Sequence, residues 1–373
     1  MKYKTYTLSE LVQIKYGKSQ KKVLSDKGIV PIYGTGGLMG YATESLYDKP
    51  SVLIGRKGTI GRVRYVDHPF WTIDTMFYTV INNELVIPKY LFYLMSQIDL
   101  NIYNEGTTIP SLRTETLNRL EFNIPSLNDQ KKVLSFLMPI DDKIHLNTKI
   151  NKNLEEQLMA LFSHSFAEDI AAASTDTCPA LGDLVVIIDN RGKTPPLTIE
   201  TFDYPIIDVG ALKGTGRIID FNNCTKFVNQ STYKSWFRSG HPKPWDILIS
   251  TVGSLAEMKI FLGSKGCVAQ NVVALRATSI SPLYLYQYLR LIRSDLVAYN
   301  IGSVQPSIKV THIVKHPIFV PERSRLEAFE KTAKVLTNQL YANYNENELL
   351  KKLRDALLPR LMSGEINVST IGL

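Results

Sequence analysis

Four cations crowd one glycine-rich stretch of this chain. In IGRKGTIGRVRY, Arg56, Lys57, Arg62 and Arg64 are interleaved with Gly55, Gly58 and Gly61, so a turn there sets all four on one exposed rim. Such a rim suits a polyanion: ammonium and guanidinium groups meet phosphate oxygens, and a guanidinium can also pair with a guanine edge. A second cluster, Lys15, Lys18, Lys21 and Lys22, follows the first helical segment. The whole chain leans the same way, with 43 Lys and Arg against 35 Asp and Glu, a net charge of +8 and a pI of 9.1. Its 19 tyrosines supply amphipathic rings suited to sugars and bases. The bland alternative is a solvated surface over core aromatics, and composition alone leaves both open.

Catalytic constellations are scarcer. No GxxxxGK[ST] phosphate loop occurs, and Gly34-Thr35-Gly36-Gly37 lacks the GxGxxG spacing. Asp246 with Glu257-Met258-Lys259 has the composition of a magnesium-binding nuclease triad, but the pattern is short and chance is the better account of it. His312 and His316 have no third ligand near in sequence and read as surface or capping groups. Cys178, Cys224 and Cys267 lie far apart without CxxC spacing, which argues against a disulfide framework or a zinc site; all three are expected as buried thiols. No apolar run approaches the eighteen or so residues of a membrane span, and MKYKTYTLSE lacks the apolar core of a signal peptide, so a cytoplasmic protein is expected.

What must position the cations is a duplicated domain. GTTIPSLRTETLNRLEFNIP at 106–125 aligns without a gap on GSVQPSIKVTHIVKHPIFVP at 302–321, an offset of 196 residues, with identities at Gly106/Gly302, Pro110/Pro306, Ser111/Ser307 and Pro125/Pro321. The copies extend upstream. Leu8, Leu11 and Gly17-Lys18-Ser19 return as Leu181, Leu184 and Gly192-Lys193-Thr194, and Pro31-Ile32 returns as Pro205-Ile206. Ser51–Ile54 with Gly58-Thr59-Ile60 returns as Asp246–Ile249 with Gly253-Ser254-Leu255. The offset grows from 174 to 195 between the last two matches, so the second copy carries 21 extra residues there. A repeat this long is a domain rather than a solenoid unit. Short β runs broken by glycine turns, with amphipathic helices at 88–97 and 282–293, predict an α+β fold in each copy.

Each copy leads into a long helix. Val133, Leu137, Ile140, Ile144, Asn147, Asn151, Leu154, Leu158 and Leu161 step alternately by four and three, which is a heptad seam. The equivalent positions are Phe329, Ala333, Leu336, Leu340, Asn343, Asn347, Leu350, Arg354 and Leu357. Asparagine in a seam costs stability but fixes register, and only an antiparallel pairing brings the polar layers Asn147/Asn151 and Asn343/Asn347 together. The prediction is an intramolecular antiparallel coiled coil, about 36 residues and so about 54 Å long, with a globular copy at each end in a pseudo-two-fold arrangement. Pro139 predicts a kink or a late start in the first helix, and Pro359 the end of the second. The domains are then 1–125 and 173–321, with spacer helices at 126–172 and 322–373.

Domain, helix, domain, helix: this order resembles the specificity (S) subunits of type I restriction-modification enzymes over essentially the whole chain. The run Val52-Leu53-Ile54-Gly55-Arg56-Lys57-Gly58-Thr59-Ile60-Gly61 carries the resemblance, with the Gly106–Pro110 and Gly302–Pro306 loops. So do the helix starts Ile124-Pro125-Ser126-Leu127 and Val320-Pro321, and the closing Leu357-Leu358-Pro359-Arg360-Leu361-Met362-Ser363-Gly364-Glu365-Ile366. The second hairpin, Ser250-Thr251-Val252-Gly253-Ser254, departs by lacking the basic pair, and the second helix start lacks a counterpart of Gln130. The resemblance implies two target recognition domains that read double-stranded DNA at two half-sites, with the coiled coil setting the gap. It implies methylation subunits, two in number, docked on the helices with S-adenosylmethionine, and restriction subunits that bring ATP and magnesium for translocation and cleavage. The chain itself would hold no cofactor and catalyse nothing, in a bacterial or archaeal cytoplasm beside the nucleoid. A two-headed adaptor for RNA or protein is the other class of function that two unlike copies on a rod would suit.

Residues shared by the copies must serve common tasks, whereas half-site specificity must lie where they diverge. In the first copy the DNA-binding candidates are Lys18, Tyr33, Thr35 and Tyr41 with Arg56, Lys57, Arg62 and Arg64. In the second they are Lys193 and, on the insert, Lys213, Arg217, Asn222, Lys226, Lys234 and Arg238. Thr107 and Arg113 match Ser303 and Lys309, and so suit backbone contacts.

Overall fold

A computed structural model describes residues 1–192 and 194–368. The chain divides into two compact units, Met1–Lys143 with the segment from Leu349 onward, and Ile144–Glu348.

In the first unit the strands are β1 (Tyr3–Thr7), β2 (Val12–Tyr16), β3 (Val30–Gly34), β4 (Gly37–Ala42), β5 (Ser51–Gly55), β6 (Val63–Val66), β7 (Trp71–Thr72), β8 (Met76–Ile81) and β9 (Glu121–Pro125). An antiparallel sheet of order β2-β8-β5-β6 forms the floor; β4-β3-β7 is a smaller sheet in which β3 and β7 run parallel, and β1 pairs with β9. Every residue of β5 is buried, which explains why SVLIG reads as a continuous apolar run without alternation. The helix Pro88–Ser96 packs on β5 and β6 and buries Tyr90, Leu91, Tyr93 and Met95.

The second unit repeats this plan with β10 (Val185–Ile188), β11 (Tyr204–Ile207), β12 (Phe227–Val228), β13 (Ile247–Ser250), β14 (Met258–Ile260), β15 (Cys267–Val268) and β16 (Val272–Ala277). Its floor has the order β10-β16-β13-β14, its small sheet the order β12-β11-β15 with β11 and β15 parallel, and the helix Pro282–Leu291 lies where Pro88–Ser96 lies in the first unit. The strand orders match pair for pair. Two places differ. The β1–β9 ladder is reduced to a single bridge between Ala180 and Pro317, and the Thr35-Gly36 turn between β3 and β4 is replaced by residues 208–226 between β11 and β12.

The long helices are Leu127–Ala172 and Arg323–Met362, and each contributes to both units. No residue of either predicted seam is exposed. Their pairing is antiparallel: Asn147 Nδ2 donates to Asn347 Oδ1 at 2.9 Å, Asn343 Nδ2 to Asn151 Oδ1 at 2.8 Å, and in the first unit Arg354 Nη1 to Asp141 Oδ1 at 3.1 Å. Each asparagine thus meets an asparagine, so two amides that would each be costly in an apolar seam satisfy one another.

A late start at Pro139 and a stop at Pro359 both need correction. The first helix starts at Leu127, twelve residues ahead of Pro139, which lies exposed inside it. Pro359 does not end the second helix, which continues to Met362; Gly364, at φ +80°, ends it, with Gly364 N–H donating to Leu361 O.

Candidate nucleic-acid interface

In the first unit the β5–β6 hairpin divides the cations expected on one rim: Arg62 and Arg64 line one cleft, whereas Arg56 turns to Asp74 and Tyr16. Lys57, Arg62 and Arg64 are exposed. Arg56 is half-buried: its Nη1 donates to Asp74 O at 3.0 Å and its guanidinium lies 5.1 Å from the Tyr16 ring centre. Arg64 lies over Tyr33 at 5.4 Å, and Tyr33 Oη is 3.2 Å from His68 Nε2. A cleft of 390 Å³ separates the hairpin from the β3–β4 turn, lined by Thr35, Gly36, Thr59, Arg62, Arg64 and neighbouring residues. The expected Thr35, Arg62 and Arg64 therefore meet at one site. Tyr41 is exposed on β4, and Lys18 is exposed on a fixed backbone, its N–H donating to Thr72 O and its carbonyl accepting from Trp71 Nε1, each at 2.9 Å.

The hairpin rests on a loop that the chain builds twice. Asn104 Oδ1 accepts from Gly106 N–H and Ser111 N–H, each at 2.9 Å, and Gly58 N–H donates to Pro110 O at 2.8 Å. In the second unit Asn300 Oδ1 accepts from Gly302 N–H at 3.0 Å and Ser307 N–H at 2.9 Å, and Gly253 N–H donates to Pro306 O at 2.9 Å. Gly106 and Gly302 are required for the same reason: a Cβ on either would collide with a carbonyl oxygen across the loop, of Ile109 or of Gln305. The asparagines went unnoticed in the sequence although Tyr103-Asn104 and Tyr299-Asn300 keep the 196-residue offset, two residues upstream of the matched segment. Thr107 and Ser303 are exposed on these loops; Arg113 pairs with Glu105 at 3.1 Å, and Lys309 is exposed.

The insert of the second unit divides in two, and one candidate is overturned. Arg217 is 0% exposed. Its Nε and Nη2 donate to Glu155 on the first long helix at 3.1 and 3.0 Å, its Nη1 donates to Thr337 Oγ1 on the second at 3.1 Å, and its guanidinium lies 5.2 Å from the Tyr286 ring centre. A guanidinium with its donors so committed, away from solvent, is an internal clamp and cannot reach DNA. Asn222 is exposed, but its amide donates to Glu348 at 2.9 Å, so it too is engaged with the second helix. Residues 208–224 are thus packed down, with Ala211, Leu212, Ile219 and Cys224 buried in the core. Lys213 projects from this segment exposed.

The remaining insert candidates Lys226, Lys234 and Arg238 are exposed. Arg238 lines a 520 Å³ cleft with Asp189, Asn190, Arg191, Trp236 and two serines. Asn190 holds the wall of this cleft, donating to Gly240 O and accepting from Ser239 N–H, both at 2.9 Å. Burial would raise the Asp189 carboxyl, but hydrogen bonds from Arg191 outweigh it and hold the pKa below the ordinary value. Lys193 lies outside the described residues.

The nuclease-like triad is dispersed. Asp246 is buried against Arg276 at 2.7 Å, Glu257 pairs with Arg293 at 2.7 Å, and Lys259 donates to the carbonyls of Gly214 and Gly216, burial pushing its ammonium down to about 8. Among the described residues no group of three His, Cys, Asp or Glu side chains is placed to hold a metal ion, and no described helix is long and apolar enough to cross a membrane. His316 Nδ1 lies 2.9 Å from Tyr299 Oη. Cys224 and Cys267 are buried as expected, with burial raising both thiols to about 12, whereas Cys178, just after the first long helix, is only half-buried.

A family model described as the type I restriction modification DNA specificity domain matches residues 1–156. Over 351 aligned residues the chain is 25% identical to the type I restriction enzyme MjaIX specificity subunit of Methanocaldococcus jannaschii, an alignment covering 87% of this chain and 80% of that one. Over 392 it is 24% identical to the HindI specificity subunit of Haemophilus influenzae, covering 82% and 84%. The fold matches the crystal structure of a type I restriction-modification S subunit from M. genitalium with a TM-score of 0.61 at 18% identity, over 97% of this chain and 96% of that one.

Proposed function

For a chain that belongs to the specificity subunits of type I restriction-modification systems, we propose that each unit reads one half of a bipartite, asymmetric DNA target and that the antiparallel helices set the gap between the halves. The observation that supports this is one scaffold built twice with unlike rims. The two units share strand order and the asparagine-held loop, yet the positions of Arg56 and Lys57 on one hairpin are taken by Thr251 and Val252 on the other. Shared parts fold and position; unlike parts discriminate. Two unlike readers on one spacer suit an interrupted, asymmetric sequence better than they suit a single reaction centre.

In this reading the chain transfers no methyl group and cuts no strand. Methylation subunits, two of them, dock on the helices and bring S-adenosylmethionine, and restriction subunits bring ATP and magnesium. Methylation mapping of host DNA with and without this gene is the test. The expected result is one interrupted motif whose modification vanishes with the gene. Loss of no motif, or methyl transfer by the purified chain alone with S-adenosylmethionine, overturns the proposal.

A further inference from the structure

The β3–β4 ribbon beside the cationic rim shows solvent an apolar face. Leu38 is 54% exposed, Met39 55% and Tyr41 45%, and Leu24 packs beside Gly40 at 54%. Two successive apolar residues face out because the ladder slips: Ile32 pairs with Gly40 but Tyr33 with Leu38, which leaves Met39 as the extra residue of a β-bulge. The face adjoins the cations directly. Gly37, at φ +120°, would place a Cβ 3.3 Å from Arg64 Nη2, and Thr35 and Gly36 share the cleft with Arg62 and Arg64.

We propose that Leu38 and Met39 read thymine through its 5-methyl group in the half-site of the first unit. The inference rests on the DNA-reading function above and assigns to it a residue pair and a base feature. β4 is the edge strand of the β4-β3-β7 sheet, so it and its turn with β3 are the part free to enter the major groove, where the thymine methyl is the apolar feature displayed. Of the exposed side chains on β4 only Tyr41 carries a hydrogen-bonding group, so base-specific contact from Leu38 and Met39 is apolar. Insertion between base pairs would need a protruding side chain, whereas Met39 lies down over Gly34, where a Cβ would collide with its sulfur. Arg62 and Arg64 supply the phosphate contacts that hold a ribbon in register.

The test uses the full-length chain and a duplex carrying its mapped target, with each thymine of the first unit's half-site replaced in turn by deoxyuridine, which lacks only the methyl. Wild type is expected to bind about fourfold more weakly at one or two positions, the effect of one buried methyl. The variant carrying Leu38→Ala and Met39→Ala is expected to bind thymine and deoxyuridine targets alike, with its salt dependence unchanged. The proposal is overturned if wild type ignores every replacement, if that half-site holds no thymine, or if the variant keeps the full difference, in which case the apolar face serves a protein contact instead. Absence of target-dependent binding by wild type to any duplex would instead defeat the DNA-reading function itself.

Discussion

Between β3 and β4 the first unit places two residues, Thr35 and Gly36, and the turn projects beside an open cleft; between β11 and β12 the second unit runs through 208–226 and ties that segment to both long helices. The same junction in one scaffold is therefore free in one copy and anchored in the other. The strands around it keep their order and partners. The scaffold tolerates a change of nineteen residues for two because the junction is the turn of a hairpin: the longer connection shortens the ladder from five pairs to two but leaves the strand order intact. The added chain must then bury its own apolar residues, and the helix pair is the surface on which 208–224 settles.

The largest way to break this comparison is Arg217→Ala. It strips Glu155 of its main charged partner, leaving the backbone N–H of residue 217 at 2.8 Å and Arg290 at 3.4 Å, and removal of one member of a buried pair costs about 3–5 kcal/mol. Denaturant unfolding should show that loss, and a change below about 1 kcal/mol would mean the insert is not anchored by this clamp. Next, Arg56→Ala with Lys57→Ala should flatten the dependence of log K on log salt by about one unit for each phosphate no longer neutralised. Thr251→Ala with Val252→Ala should leave that slope alone; equal slopes in the two double variants would erase the distinction between the hairpins.

The smallest effect concerns pH. His241 stacks on Tyr233 with centroids 3.6 Å apart, its Nε2 lies 2.7 Å from Tyr233 O, and its carbonyl accepts from Arg276. Burial holds its pKa below the ordinary imidazole value. The unfolded chain therefore takes up the proton first as pH falls. The contribution to stability is complete above about pH 6.5 and is lost as pH falls through the folded-state pKa. Thermal unfolding between pH 7 and pH 5 should show a decline that His241→Phe reduces; identical profiles for the two proteins would contradict it.

Much of this was legible because it rests on local pattern. The 4-3 seam marked the faces that the helices bury, and the recurrence of asparagine at 147/343 and 151/347 implied the antiparallel pairing. Arg217 was not legible: a cation in a polar insert reads as solvated, and its partner Glu155 lies 62 residues upstream, outside the seam. The ladder of β1 with β9 joins residues 118 apart, as at Thr5 and Asn123, and leaves no short-range trace. Pro359 misled because a helix already formed can continue for one turn past a proline before Gly364 closes it.

Glu155 limits the ways this protein can acquire a new target. A recombined segment that replaces 208–226 inherits a carboxylate waiting on the first long helix, and a lineage that arrives without a cation near position 217 loses stability before its new specificity can be selected. Variation at the Thr35-Gly36 turn carries no such debt, because that turn lies against its own hairpin and cleft. Inherited change should accordingly come freely, residue by residue, at the first junction, and at the second in whole blocks that keep the arginine.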